Sequence, residues 1–147
     1  MFPSFLASDK NIKNKTGANN CLNILLLFDK QKDKTEALAE RLQAIKKIRK
    51  IPIHVFVDSI ESLKQWDTKQ LAGVFLAESV FELTPVINFG INKKILVFSP
   101  FEGDVEKGVT TGLFIAEKIV PYINMQTVKG SHLSFKSFFL RVSKRYE

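Results

Sequence analysis

The sequence predicts an α/β domain of the three-layer, Rossmann-like kind. It should hold a mostly parallel sheet of about five to six strands, a C-terminal antiparallel hairpin and a closing helix. Short apolar runs of strand length alternate with stretches of helical period, in the order β-α-β-α-β-α-β. The first run, "CLNILLLF" (21 to 28), is apolar almost throughout, as a strand buried on both faces requires. A length of 147 residues suits one domain, and there is no internal repeat or low-complexity segment.

The elements follow in order. Residues 1–20 read as a flexible leader, because "SDKNIKNKTGANN" (8 to 20) is polar and rich in turn formers. The packed domain is therefore expected over 21–147. After the first strand, the loop "DKQKDK" leads to Asp33, three residues before Glu36 in the manner of a capping box. Leu38, Leu42, Ile45 and Ile48 then recur at helical spacing until Pro52 breaks the helix. "IHVFV" (53 to 57) is a second strand, and Asp58 or Ser59 caps a short helix over 60–66. "LAGVFLAE" (71 to 78) is a third strand, and "VFELTPVINFGI" (80 to 91) is helical with Pro85 near a first turn. "KKILVFS" (93 to 99) is a fourth strand, followed by the loop "PFEGDVEKG" (100 to 108).

The stretch 109–125 allows two readings. A helix can be drawn through Val109, Leu113, Ala116 and Val120, but Gly112 and Pro121 favour a hairpin. Its arms would be 110–116 and 119–123, around a turn at Glu117-Lys118. Asn124 then caps a short helix closed by Gly130. Ser131 or Ser134 starts a final helix with Phe135, Phe138, Phe139, Val142 and Tyr146 on one face, and basic residues opposite.

Lys plus Arg is 22 against 15 acidic residues, a net charge of +7. The charge clusters at "KKIRK" (46 to 50) and "RVSKRYE" (141 to 147). Lys46, Lys47, Arg49 and Lys50 are the residues a nucleic-acid interface would use. Without exposed aromatics or a glycine-marked motif beside them, a solvated surface is the favoured reading and no nucleic acid is expected. The 13 Phe, against 2 Tyr and 1 Trp, imply either a Phe-rich core or a patch that a partner covers. No apolar run approaches about 18 residues, so no membrane span is expected. The start, "MFPSFLASDK", lacks the features of an intact secretory signal. Cys21 is the only cysteine, which rules out an intrachain disulfide.

Chemistry is sparse. His54, His132 and Cys21 make no metal signature, and nothing resembles a nucleophile elbow. No catalytic residue, cofactor or metal is expected. A dinucleotide cradle after the first strand would need glycine, and "DKQKDK" has none. Asp29 and Asp58 at strand ends read as loop entry and helix capping, and Gly103, Gly108 and Gly112 as turn geometry. Doubly wound sheets bind ligands at strand C-termini, so a small-ligand pocket would lie around Asp29, Ser99 and Glu102.

The segments "KKILVFSPFEGDVEKGVTTGLFI", "IVPYINM" and "HLSFKSFFLRVSKRYE" together resemble the C-terminal half of YfiR-like proteins. "VDSIESLKQWDTKQLAGVFLAES" is similar to that family's middle segment. The matching positions, of structural role, are Gly108, Ile123, Asn124, Leu133, Phe139 and Leu140. The resemblance implies a periplasmic, non-enzymatic domain that docks on a membrane or envelope protein, a diguanylate cyclase in the best-known members, where dimers are typical. This chain lacks those members' paired cysteines, so control by an intrachain disulfide is not implied. Phe101 and Phe114 would be the aromatic anchors of such a docking surface, with Glu117 and Lys118 at the hairpin turn. The expectation carried forward is a docking domain, with the small-ligand pocket and the nucleic-acid binder as alternatives.

Overall fold

The computed structural model describes residues 1–147. In chain order the elements are α1 (Phe2–Ala7), β1 (Leu22–Phe28), α2 (Lys32–Gln43), β2 (Lys47–Ile48), β3 (Ile51–Ser59), β4 (Gly73–Leu76) and α3 (Thr84–Lys93). Then come β5 (Leu96–Ser99), β6 (Thr111–Ile115), β7 (Ile119–Asn124), α4 (Met125–Gly130), α5 (Ser137–Val142) and β8 (Lys144–Tyr146). One sheet takes all eight strands in the order β2-β3-β1-β4-β5-β6-β7-β8. The five strands from β3 to β6 run parallel, β7 returns antiparallel, and the outermost strands pair at the two edges.

Strand alternation sorts the core into two layers. Leu22, Ile24 and Leu26 of β1 and Leu96 and Phe98 of β5 face one layer, with residues of α1, α2, α4 and α5. Leu25 and Leu27 of β1 and Val97 of β5 face the other, with Leu63, Val86 and Phe89. This is the expected three-layer α/β arrangement, with helices on both sides of a mostly parallel sheet.

The leader expected over 1–20 is instead packed on the body. Phe5 and Leu6 are fully buried, and Phe2 nearly so. Phe2 meets Phe75 and Phe98 at 5.0 and 5.4 Å between ring centroids, and Phe5 meets Phe98 and Phe139 at 5.0 and 5.2 Å. Part of the Phe excess has its reason here: Phe2, Phe5, Phe75, Phe98, Phe135 and Phe139 form one cluster of edge-to-face and tilted rings spanning both chain ends, while Phe81 and Phe138 stand exposed. Asp9, also fully buried, pairs with Lys15 and accepts the Asn11 N–H at 2.9 Å, while Lys10 donates its N–H to Ser134 O at 2.8 Å. Polarity over 8–20 suggests a loose segment, but Phe2, Phe5 and Leu6 anchor the chain ahead of it and Ile12, fully buried, anchors it from within.

Three other boundaries differ from expectation. α2 stops at Gln43, and Ile48 belongs to the edge hairpin β2–β3. The two-residue turn of that hairpin is Arg49-Lys50, with φ of 51° and 68°, the positive values such a turn requires. Gly130 stays within α4, and His132 takes the left-handed conformation, φ 54°, that follows. The long amphipathic final helix is reduced to α5. Phe135 and Phe139 are buried as expected, but Phe138 is 67% exposed, Val142 43% and Tyr146 40%. Their face has no layer to meet, because after Val142 the chain turns into strand β8 beside β7.

Candidate functional site

On the α3 side of the sheet, that helix covers β4 and β5 but not the strands beyond. The loop 100–108 after β5 folds over β6 and β7 in its place, and a cavity of about 370 Å³ remains beneath it. Its walls are Pro100, Phe101, Glu102, Val105 and Glu106 from the loop, and Phe114 and Tyr122 from the hairpin. Register explains the hairpin wall. Gly112 pairs with Tyr122, so Phe114, two residues on from Gly112, shares a sheet face with Tyr122. The Phe114 and Tyr122 rings meet at 5.4 Å, and Lys144, paired with Tyr122 in β8, brings its Nζ to 5.3 Å from the Phe114 centroid.

The loop is held by buried polar groups. Ser99 Oγ donates to Asp104 Oδ2 at 2.6 Å and accepts the Phe101 N–H at 3.1 Å. Asn124 Nδ2 donates to Val105 O at 2.8 Å, and Asn124 Oδ1 accepts the Thr127 N–H that opens α4. Thr127 Oγ1 donates to Gly108 O at 2.7 Å. Gly112 allows the loop's approach, since a Cβ there would lie 2.6 Å from Ser99 O and 2.7 Å from Val105 Cγ2. Gly108 takes φ 123°, which only glycine adopts without strain. Burial pushes the Tyr122 phenol above its ordinary pKa, and the neighbouring Glu106 carboxylate adds to the rise.

The structure places the expected residues unevenly. Phe101 and Phe114 come together, half-buried, as walls of the cavity, not as protruding anchors. Glu117 and Lys118 stand exposed at the hairpin tip and do not line it. Gly108, Ile123, Asn124, Leu133, Phe139 and Leu140 all serve packing or the loop clamp. Of the pocket expected around Asp29, Ser99 and Glu102, only Glu102 lines the cavity; Ser99 supports it from within the core.

Asp29 lies apart for a physical reason. The amides of Asp29, Lys30 and Gln31, entering α2, all donate to the Glu78 carboxylate, at 3.1, 2.9 and 2.7 Å to Oε1. Desolvation acts to raise the Glu78 pKa, but those three donors and the Lys30 charge together hold it below its usual value. The chain's own carboxylate thus fills the position where an anion would meet this helix N-terminus. The basic residues Lys46, Lys47, Arg49 and Lys50 sit at the β2–β3 edge, where Arg49 Nη1 reaches Asp9 O at 3.5 Å. No group of three or more His, Cys, Asp or Glu residues is placed to hold a metal ion. A larger hollow, about 470 Å³, lies near the start of β1 between Asn19, Asn23, Trp66 and Gln70. The smaller cavity is the better candidate because it opens at strand C-termini, where α/β sheets bind ligands.

Sequence reading missed Glu106, Tyr122 and Lys144. Tyr122 could have been found by pairing the hairpin about its tip, which sets it opposite Gly112. Lys144 could not, because its strand looked helical.

The class defined so far is a three-layer α/β domain with an aromatic, carboxylate-edged cavity beside its last parallel strands. No family model matches the chain, and no curated protein does. Among solved structures, it is similar to an ABC domain from Streptococcus pneumonia in complex with L-Trp, with TM-score 0.65 and 11% identity. That match covers 95% of this chain and 60% of the other. It is also similar to a conserved domain protein from Vibrio cholerae O1 biovar eltor, with TM-score 0.56 and 13% identity over 92% of this chain and 57% of that one. This chain therefore spans less than two thirds of either structure, and at such identities the likeness shows the fold alone. No helix is long and apolar enough to cross a membrane.

Proposed function

We propose that the chain is a small-ligand-binding domain of the transporter substrate-binding type, with its site in the cavity under loop 100–108. The observation that carries this is one hollow of about 370 Å³ walled by Phe101, Phe114 and Tyr122 and edged by Glu102 and Glu106. That volume falls within the range of small-molecule sites, and rings with a few polar groups are their usual lining. The fold neighbour solved with L-Trp supports a ligand-binding reading over a docking one. Thermal shift against a metabolite panel tests it. A true ligand at about a hundred times its Kd should add about 2.7 kcal/mol of stability. In Phe101→Ala that gain should shrink while the unliganded melting point moves little, since Phe101 is half-buried and belongs to neither core cluster. A panel with no stabilising member would leave the reading without support.

A second reading is docking onto an envelope protein, in the manner the YfiR-like resemblance implies. It is favoured by Ile115 and Ile119, paired across the hairpin tip and 69% and 53% exposed. Replacing both with Ser should abolish capture of an envelope protein from a solubilised bacterial membrane fraction and leave melting unchanged. Equal capture by the doubly substituted chain would reject this surface.

A further inference from the structure

Resting on that reading of the cavity, we propose that its ligand is an organic cation: a protonated amine on an apolar, ring-sized body. Three observations converge. Glu102 and Glu106 both line the cavity, and neither has an ion-pair partner, since the one salt bridge in the chain joins Lys15 and Asp9. Both are exposed, and Lys107 and Lys144 lie nearby, but these two carboxylates are the only charged groups that line the hollow itself. Next, Phe101, Phe114 and Tyr122 line the hollow beside the aliphatic Val105, Leu113 and Ile115, so rings that can attract positive charge adjoin a surface that suits an apolar body. Last, the wall already carries a cation. Lys144 of the exposed edge strand β8 places Nζ 5.3 Å from the Phe114 centroid. Lys144 itself stands outside the cavity lining, so the pairing shows that this wall ring accepts an ammonium and that a positive charge lies close beside the hollow.

An anionic ligand would meet Glu102 and Glu106 with like charge, and a neutral one would leave both carboxylates unused. The chemistry of the walls therefore separates ligands by charge more than by ring type.

The experiment is isothermal titration of the full chain with three probes sharing one ring: tryptamine, 3-methylindole and indole-3-propionate. Tryptamine is expected to bind about fivefold tighter than indole-3-propionate, the scale of a cation on an aromatic wall edged by exposed carboxylates. In Glu102→Gln with Glu106→Gln the ratio of the two affinities should fall towards one. Lys144→Met should tighten tryptamine, because it removes a like charge beside the hollow. Equal or tighter binding of the propionate, or a ratio unchanged in the double variant, would overturn the cationic assignment while leaving the cavity a binding site. A weaker hold on tryptamine in Lys144→Met would also count against it, since Lys144 would then assist the ligand. If none of the three probes binds up to millimolar concentration, this inference fails, while the ligand-binding reading stands or falls on the metabolite panel.

Discussion

Phe5→Ala is expected to destabilise the domain by about 3–5 kcal/mol, the range for emptying a buried ring site. Phe5 is fully buried and its ring meets Phe98 of β5 and Phe139 of α5 edge to face. It therefore joins the first helix to the central sheet and to the last helix in one contact set. The loss should appear in urea unfolding as a lower midpoint with unchanged slope. A loose N-terminal segment predicts no effect, so the measurement separates the two pictures by several kcal/mol. Such a loss is a large fraction of the stability of a domain this size.

Asn124→Ala is expected to cost about 1–3 kcal/mol, because one side chain performs two buried tasks. Its Oδ1 caps α4 through the Thr127 N–H, and its Nδ2 satisfies the Val105 carbonyl in the loop over the cavity. Ala removes the cap and one of the two donors to Val105 O, which keeps only the Gly108 N–H at 3.0 Å. Asn124→Asp separates the tasks. It retains the capping oxygen but has no donor for Val105 O, and it sets a carboxylate against that carbonyl. The Asp variant should keep α4 formed and still release the loop, read as faster amide exchange over 103–108 with little change over 125–130. Equal protection of both segments in Asn124→Asp would show that the clamp contributes nothing to the loop.

The parts legible in the sequence were those whose signal is local. β1 declares itself by a run that is apolar but for Asn23, because both its faces are covered. The hairpin β6–β7 was readable from Gly112 and Pro121, which disfavour a helix, and Asn124 was readable as a cap. The illegible parts depended on distant partners. Phe2 and Phe5 look like a short apolar start until Phe98 and Phe139 are brought beside them. The spacing of Phe135, Phe138, Phe139, Val142 and Tyr146 fits a helix, yet β7 offers an open edge that the last residues join instead. Tertiary pairing overrode a local period there. The candidate site was half legible. Glu102, Phe101 and Phe114 were named for two different roles, and only the fold shows them as walls of one hollow. Asp29 was misplaced because nothing local announces that Glu78, 49 residues away, occupies the amides beside it.

The claim that a small molecule binds under the loop after β5 is tested most directly by an amide NMR titration of the full chain with tryptamine. Saturating shifts are expected at 100–106, at 112–115 and at Tyr122, with residues 29–34 unmoved. Shifts concentrated at 29–34, at the entrance to α2, or at the hollow between Asn19 and Gln70, would contradict the account and move the site elsewhere in the fold.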